Sequence, residues 1–314
     1  MQYHISESDI TIENITYTGT LYAKKEHEDG RLYGTFRTYT VLVDGDNVTF
    51  KNCVFENTAG RGEDVGQAIA LYIDGDNVRL ENCILRGHQD TLFLAPLPEK
   101  EIIPGGFLGP KQFTPRYHRK VYFKNCVIEG GVDFIFGGAQ AHFEDCEFKS
   151  VEPGYVFAPS TPEGVATGFV AVNCRFTAEE NVPKHSCYIG RPWRNHAKIR
   201  LENCYLGSHI HPLGVVKNIA PGVALLIELQ PVVALHPAGD PLMVAGGEVD
   251  PVPGSGVGDA LAPALVPDGR VCHALDVPPL QPGMGALDPG DLLKLPVRGP
   301  FDTLVGHIRA AVEL

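Results

Sequence analysis

A chain of 314 residues can bury one large core or two modest ones. Its formal charge of −12 and its lack of a basic stripe exclude a nucleic-acid partner, because phosphate binding needs clustered Lys and Arg. Net acidity also gives no long-range attraction to a polyanion, so a substrate whose carboxylates are masked as neutral esters suits this balance better than a free polyacid.

The first ten residues, MQYHISESDI, lack a basic segment followed by an apolar one and do not read as a signal peptide. As written, the chain therefore gives no export signal. It also has no run of about 18 or more apolar residues, so neither a membrane-spanning helix nor a membrane partner is expected. A strand-like unit then recurs: ITIENITY near the start, followed by VTFKNCVF, VRLENCIL, VYFKNCVI, AHFEDCEF, FVAVNCRF and IRLENCYL. The last six place Cys53, Cys83, Cys126, Cys146, Cys174 and Cys204 at intervals of 30, 43, 20, 28 and 30 residues.

Repeats of this length indicate a solenoid or a propeller. The units are rich in Val, Ile, Phe and Thr and lack a 3.6-residue apolar period, which predicts an all-β fold, a single-stranded parallel β-helix over residues 1–214. Equivalent residues of neighbouring coils then stack about 4.8 Å apart. The Asn-Cys positions are expected to form an interior ladder rather than disulfides, with free Cys acting as a small buried hydrophobe. No Cys-x-x-Cys spacing suggests zinc. Residues 95–116, rich in Pro and Gly, interrupt the repeat as a long loop of the kind that lines a solenoid's binding face.

The repeat also pairs two carboxylates. Asp90 lies seven residues after Cys83 in CILRGHQD, and Asp133 seven after Cys126 in CVIEGGVD. Side by side, two such groups cannot both ionise freely, so one becomes an acid and the other a base or nucleophile. A turn-forming pair or a surface calcium site is the plainer reading of this spacing. The neighbours favour chemistry: Gln89 is an amide able to donate to an oxyanion, and Phe134–Gly137 would desolvate Asp133. Neither neighbourhood supplies the further carboxylates that calcium needs.

At these residues the sequence resembles the pectin methylesterases, through GQAIAL (66–71), GHQDTLF (87–93), GGVDFIFG (130–137) and YIGRPWR (188–194). The resemblance implies a right-handed β-helix, Asp133 as nucleophile and Asp90 as general acid and then base. It implies Gln89 and Gln67 as oxyanion donors, Arg191 as the partner that keeps Asp133 charged, and Trp193 as a platform for a sugar ring. Gln67, Arg191 and Trp193 would contact the substrate, a methyl-esterified pectin or oligogalacturonide, with no cofactor and no metal. The structural alternatives are a surface ion pair for Arg191, core packing for Trp193 and a ladder amide for Gln67. His88 stands where the family usually has Tyr and invites a general-base role that the family does without. His209 and His211 offer only two metal ligands and read as loop packing. The chain is read as a monomer; family members are often extracellular.

Both ends depart from the family pattern. A G-x-Y-x-E segment expected before the first coil is absent, so N-terminal coils are expected to be missing. Residues 215–314 hold 14 of the 25 prolines, and Phe301 is their only aromatic residue. They are expected to form an irregular or disordered region, with an amphipathic helix in DTLVGHIRAAVEL and no continuation of the coils. Competing functions are a β-helix lyase, a glycoside hydrolase, or an inactive carbohydrate-binding remnant. A lyase would need calcium and a basic residue, and a hydrolase a carboxylate pair flanking a glycosidic bond.

Overall fold

A computed structural model describes residues 1–214 together with the strands Leu225–Gln230, Val233–Leu235 and Pro241–Leu242. The chain winds as a right-handed parallel β-helix, each coil giving one short strand to each of three sheets. Sheet A stacks Tyr3–Ile5, Val41–Val43, Leu71–Ile73, Leu92–Leu94, Ile135–Gly137, Tyr155–Pro159 and Tyr188–Gly190. Sheet B runs from Thr11–Glu13 through Lys120–Lys124 to Ala197–Glu202, and sheet C from Thr16–Gly19 through Val127–Gly130 to Tyr205–Leu206.

The recurring Asn-Cys pair makes the corner between sheets B and C. Asn52, Asn82, Asn125, Asp145, Asn173 and Asn203 adopt φ between 50 and 54°, the left-handed region that Asn and Asp tolerate best. This sharp bend turns the following Cys inward, and all six cysteines of the repeat are buried and free. The expectation of an interior Asn-Cys ladder therefore holds for Cys alone. The asparagines stay outside, where Asn82 Nδ2 donates to Asn52 Oδ1 (3.4 Å) and Asn52 Nδ2 to Asn14 Oδ1 (3.3 Å). An amide ladder of this kind satisfies its polar groups at the surface, whereas an interior one would need partners that the apolar core does not offer. Above the Cys stack, aromatic rings fill the bore: Phe123 lies on Phe143 at 4.6 Å, and Phe148 on Phe176 at 4.9 Å.

Sheet A differs from the other two in being covered on both faces. Val41, Val43, Leu71, Ile73, Leu92, Leu94 and Ile135 point into the bore. The alternate residues Leu42, Tyr72, Phe93, Phe136 and Ala158 point outward into a second apolar cluster with Phe36 and Phe107. Phe107 comes from the predicted loop, which contains no strand between residues 95 and 116. Lys111 pins that loop to the coils through Asp44 (2.5 Å), and the Arg116 guanidinium donates to the carbonyls of Pro98, Lys111, Gln112 and Thr114.

The coils continue past residue 214, against expectation. Leu225–Gln230 pairs in parallel with Ala197–Glu202, from Ala197 opposite Leu225 to Glu202 opposite Gln230, and Val233–Leu235 follows Tyr205–Leu206 in sheet C. The prolines do not prevent this because Pro221 and Pro231 flank the six-residue strand instead of interrupting its ladder. Pro241–Leu242 then adds to sheet C antiparallel. Cys272, Phe301 and the helix expected at the C-terminus lie outside the described residues.

The corner geometry makes a specific demand on side chains. Asn125→Ala should lower the unfolding free energy in urea by up to about 1 kcal/mol, because Ala keeps the Cβ but lacks the short polar side chain by which Asn offsets the cost of left-handed backbone. Asn125→Gly should remain nearer the parent protein.

Candidate active site

The paired aspartates sit on the turns that lead from sheet C into sheet A. Strand register brackets these turns on both sides: Glu129 lies beside Arg86 before them, and Ile135 beside Leu92 after them. The intervening residues, equal in number, must therefore stack. Asp90 N–H donates to the Val132 carbonyl (3.0 Å), Gly131 N–H to the His88 carbonyl (2.8 Å), and Leu92 N–H to the Phe134 carbonyl (2.8 Å). Asp90 (φ 64°) and Asp133 (φ 50°) both occupy the left-handed region, so the two turns share one backbone shape. The shared register read from the Cys positions is the register of the fold.

The two carboxyl groups differ in their surroundings. Arg191 Nε donates to Asp133 Oδ1 (2.8 Å) and Nη2 to Oδ2 (2.5 Å), a bidentate ion pair. Arg191 arrives from the segment after Tyr188–Gly190, where its own N–H bonds the Phe157 carbonyl (2.9 Å). Asp90 is buried, and among the described residues no cation bonds it. Burial raises its pKa well above the ordinary aspartate value, the neighbouring Asp133 charge raises it further, and Arg191 offsets only part. Burial also raises Asp133, but the Arg191 hydrogen bonds and charge pull it back. Asp133 therefore ionises first and Asp90 keeps its proton longer.

The glutamines lie on adjoining coils. Ala68 N–H donates to the Gln89 carbonyl (3.0 Å), which places the Gln67 turn directly before the Gln89-Asp90 turn. Both side chains are half-buried, and among the described residues no other group bonds their amides. Gly62 leaves room for one of them: a Cβ there would stand 2.4 Å from Gln89 Oε1. Trp193 is half-buried against the second apolar cluster, its ring 5.6 Å from Phe136 and 6.3 Å from Phe36 and Phe93. The core-packing alternative therefore describes one side of this ring.

His88 lies beside Glu152, with Nδ1 3.4 Å from Oε1. Glu152 also binds Arg61 Nε (2.9 Å), reaching across Gly131, where any Cβ would collide with it at 2.2 Å. His209 is buried, and burial lowers its pKa to about 4; His211 stacks on Tyr188 at 4.8 Å. Among the described residues, no three His, Cys, Asp or Glu side chains cluster as a metal site. Sequence reading does not single out Glu152, Arg61 or Tyr155, because none carries a motif. Tyr155 could be found from strand register alone, since it opens its strand as Tyr188 does in the next coil.

Fold and site together define a parallel β-helix with an acidic pair, one member buried and one half-buried, on the turns that enter one of its sheets. The family model described as Pectinesterase matches residues 13–96 and 113–223, passing over most of the loop that covers sheet A. The chain belongs to the pectinesterase family. It is 32% identical over 209 residues to Pectinesterase 31 of Arabidopsis thaliana, covering 66% of this chain and 57% of that protein. It is 36% identical over 154 residues to a pectinesterase of Ralstonia nicotianae, covering 47% of this chain and 34% of that protein. The chain thus spans little more than half the length of the first of these relatives and about a third of the second. Among solved structures, the pectin methylesterase from Aspergillus niger superposes with a TM-score of 0.61 at 27% identity, covering 74% of this chain and 72% of that one.

The asymmetry has a consequence for stability. Because the folded-state pKa of Asp90 is raised, the unfolded chain releases this proton at lower pH than the folded chain. Stability is lost from about pH 4 upward until the folded group itself ionises. Asn cannot ionise, so Asp90→Asn should melt with the parent protein near pH 4 and several degrees above it near pH 8. The scale is about 1.4 kcal/mol per unit of pKa difference. Thermal melts across this range check the sign.

Proposed function

We propose that this chain hydrolyses the methyl esters of polygalacturonate, in methyl-esterified pectin or its oligogalacturonides, to free carboxylate and methanol. The observation that carries the reading is the bidentate Arg191–Asp133 pair beside a buried Asp90 that no cation bonds among the described residues. Family membership supplies the reaction class, since the relatives named above are pectinesterases.

In this reading Asp133, the carboxylate that ionises first, attacks the ester carbonyl carbon. The Gln67 and Gln89 amides donate to the oxygen as it becomes an oxyanion. Collapse of the tetrahedral intermediate breaks the C–OCH3 bond, and Asp90 gives its proton to the departing methoxide. The acyl group is then an anhydride on Asp133. Asp90, now a carboxylate, takes a proton from water, which attacks the acyl carbon and returns Asp133 and the free galacturonate. Trp193 presents the exposed side of its ring to a sugar, while its other side rests on Phe136 and Phe93. The catalytic unit is a monomer, and each step uses side chains alone.

Methylated pectin incubated with the protein should release methanol at a rate unchanged by EDTA. Asp133→Asn should abolish turnover, and Asp90→Asn should lower it by about 10² or more. Loss of activity in chelator together with unsaturated, ultraviolet-absorbing products would replace the esterase by a lyase. Parent-like rates in either folded Asn variant would remove the two-aspartate assignment.

A further inference from the structure

Among the described residues Arg191 is the one cation bonded to the Asp133 carboxylate, so whatever holds Arg191 also sets the charge felt by Asp133. A bidentate bond fixes the Arg191 guanidinium along one edge. It leaves the plane free to rock about the line joining the two carboxylate oxygens. The Arg191 side chain is 35% exposed, so water competes for its other donors. Something must restrain its face.

That face lies on the ring of Tyr155, with Arg191 Cζ 4.4 Å from the ring centroid. The ring is itself backed. Tyr155 and Tyr188 occupy the same position on successive strands of sheet A, and their rings stack 5.5 Å apart at 22°. Tyr188 in turn stacks on His211, 4.8 Å apart at 24°. The planes run guanidinium, phenol, phenol, imidazole, with coil stacking setting the interval between the two phenols. The Tyr155 backbone is tied to the turn that carries Asp133: its N–H donates to the Gly131 carbonyl (3.1 Å), and its carbonyl accepts from Phe134 N–H (3.4 Å). The strand that supplies the ring and the turn that supplies the carboxylate therefore move together.

We propose that Tyr155, backed by Tyr188, is a positioning residue for the nucleophile: its ring face holds the Arg191 guanidinium in the plane of the Asp133 carboxylate. The inference rests on the esterase reading only for its effect on rate; the effect on Arg191 stands apart from it. The backbone bonds of Tyr155 could be made by any residue, whereas the restraint on Arg191 needs an aromatic face. Charged and titratable groups around this array are Asp133 and Asp90 on the carboxylate side of Arg191, and Tyr188, His211 and, beyond it, His185 on the ring side.

The sign of the electrostatic effect follows. A guanidinium free to rock spends less time against Asp133, the carboxylate loses part of its stabilisation, and Asp133 ionises at higher pH. The whole energy of a partly desolvated cation–π contact sets the ceiling, so the upward shift is at most roughly half to one unit.

The test compares Tyr155→Phe and Tyr155→Leu in the full chain. The 15N–1H signal of the Arg191 Nε–Hε group is identified by its absence in Arg191→Lys, and the acidic limb of kcat/KM for methanol release is measured alongside. The parent protein and Tyr155→Phe should share a sharp, slowly exchanging Arg191 signal and one acidic limb. Tyr155→Leu should broaden that signal or speed its exchange at least about tenfold, and should move the limb up within that ceiling. An unchanged signal and limb in folded Tyr155→Leu would overturn the proposal, as would equal effects in Tyr155→Phe. Should Leu prevent folding, Tyr155→Val, a better strand former, provides the same comparison. If the Arg191 signal responds as expected while the parent releases no methanol, the esterase reading fails and the positioning role stands.

Discussion

Backbone hydrogen bonds between successive coils hold equivalent residues about 4.8 Å apart, and everything else in this molecule is arranged around that interval. A residue type that recurs at one point of the coil becomes a ladder. Cys at the B–C corner becomes an interior stack, Asn beside it an exterior one, and Phe a column of rings through the bore. At the turn into sheet A the same rule stacks Asp90 on Asp133. One interval thus gives both the core, where apolar repetition is favourable, and the site, where repetition of a charge is not.

What separates the two aspartates is not their register, which is shared, but what each neighbouring coil supplies. Arg191 comes from two coils beyond Asp133 and bonds it on both oxygens, while Asp90 faces buried surroundings without such a bond. The solenoid separates these roles by distance along its axis. It also puts the pair on the turns that enter sheet A, the sheet whose outer face is covered. The coils' long excursions, residues 20–40 and 95–119, converge there and bury a second apolar cluster against which Trp193 packs. The loop that contributes Phe107 is largely passed over by the family model, so this wall lies mostly outside the matched residues.

Much of this was legible in the sequence because the decisive features are periodic. The Cys spacing gives the coils, and the same count from Cys83 and Cys126 gives the acidic pair. The Asn half of the repeat was misplaced because composition does not distinguish an amide stacked inside from one stacked outside; the left-handed φ of Asn52 and its equivalents decides it. Proline content averaged over a hundred residues argues against the strand Leu225–Gln230, whereas ladder pairing depends only on whether Pro falls within the strand. Tyr155 and Glu152 were invisible for a different reason. They act through contacts between coils, and no motif within one coil marks them.

Unequal ionisation of the stacked pair is what acid and nucleophile roles at this site require. Carboxyl 13C signals of Asp90 and Asp133, followed through a pH titration and assigned with the single Asn variants, measure it directly. Two separated steps are expected, both above the ordinary aspartate range, with the lower step absent in Asp133→Asn. Coincident steps near pH 4, or a lower step that belongs to Asp90, would contradict it.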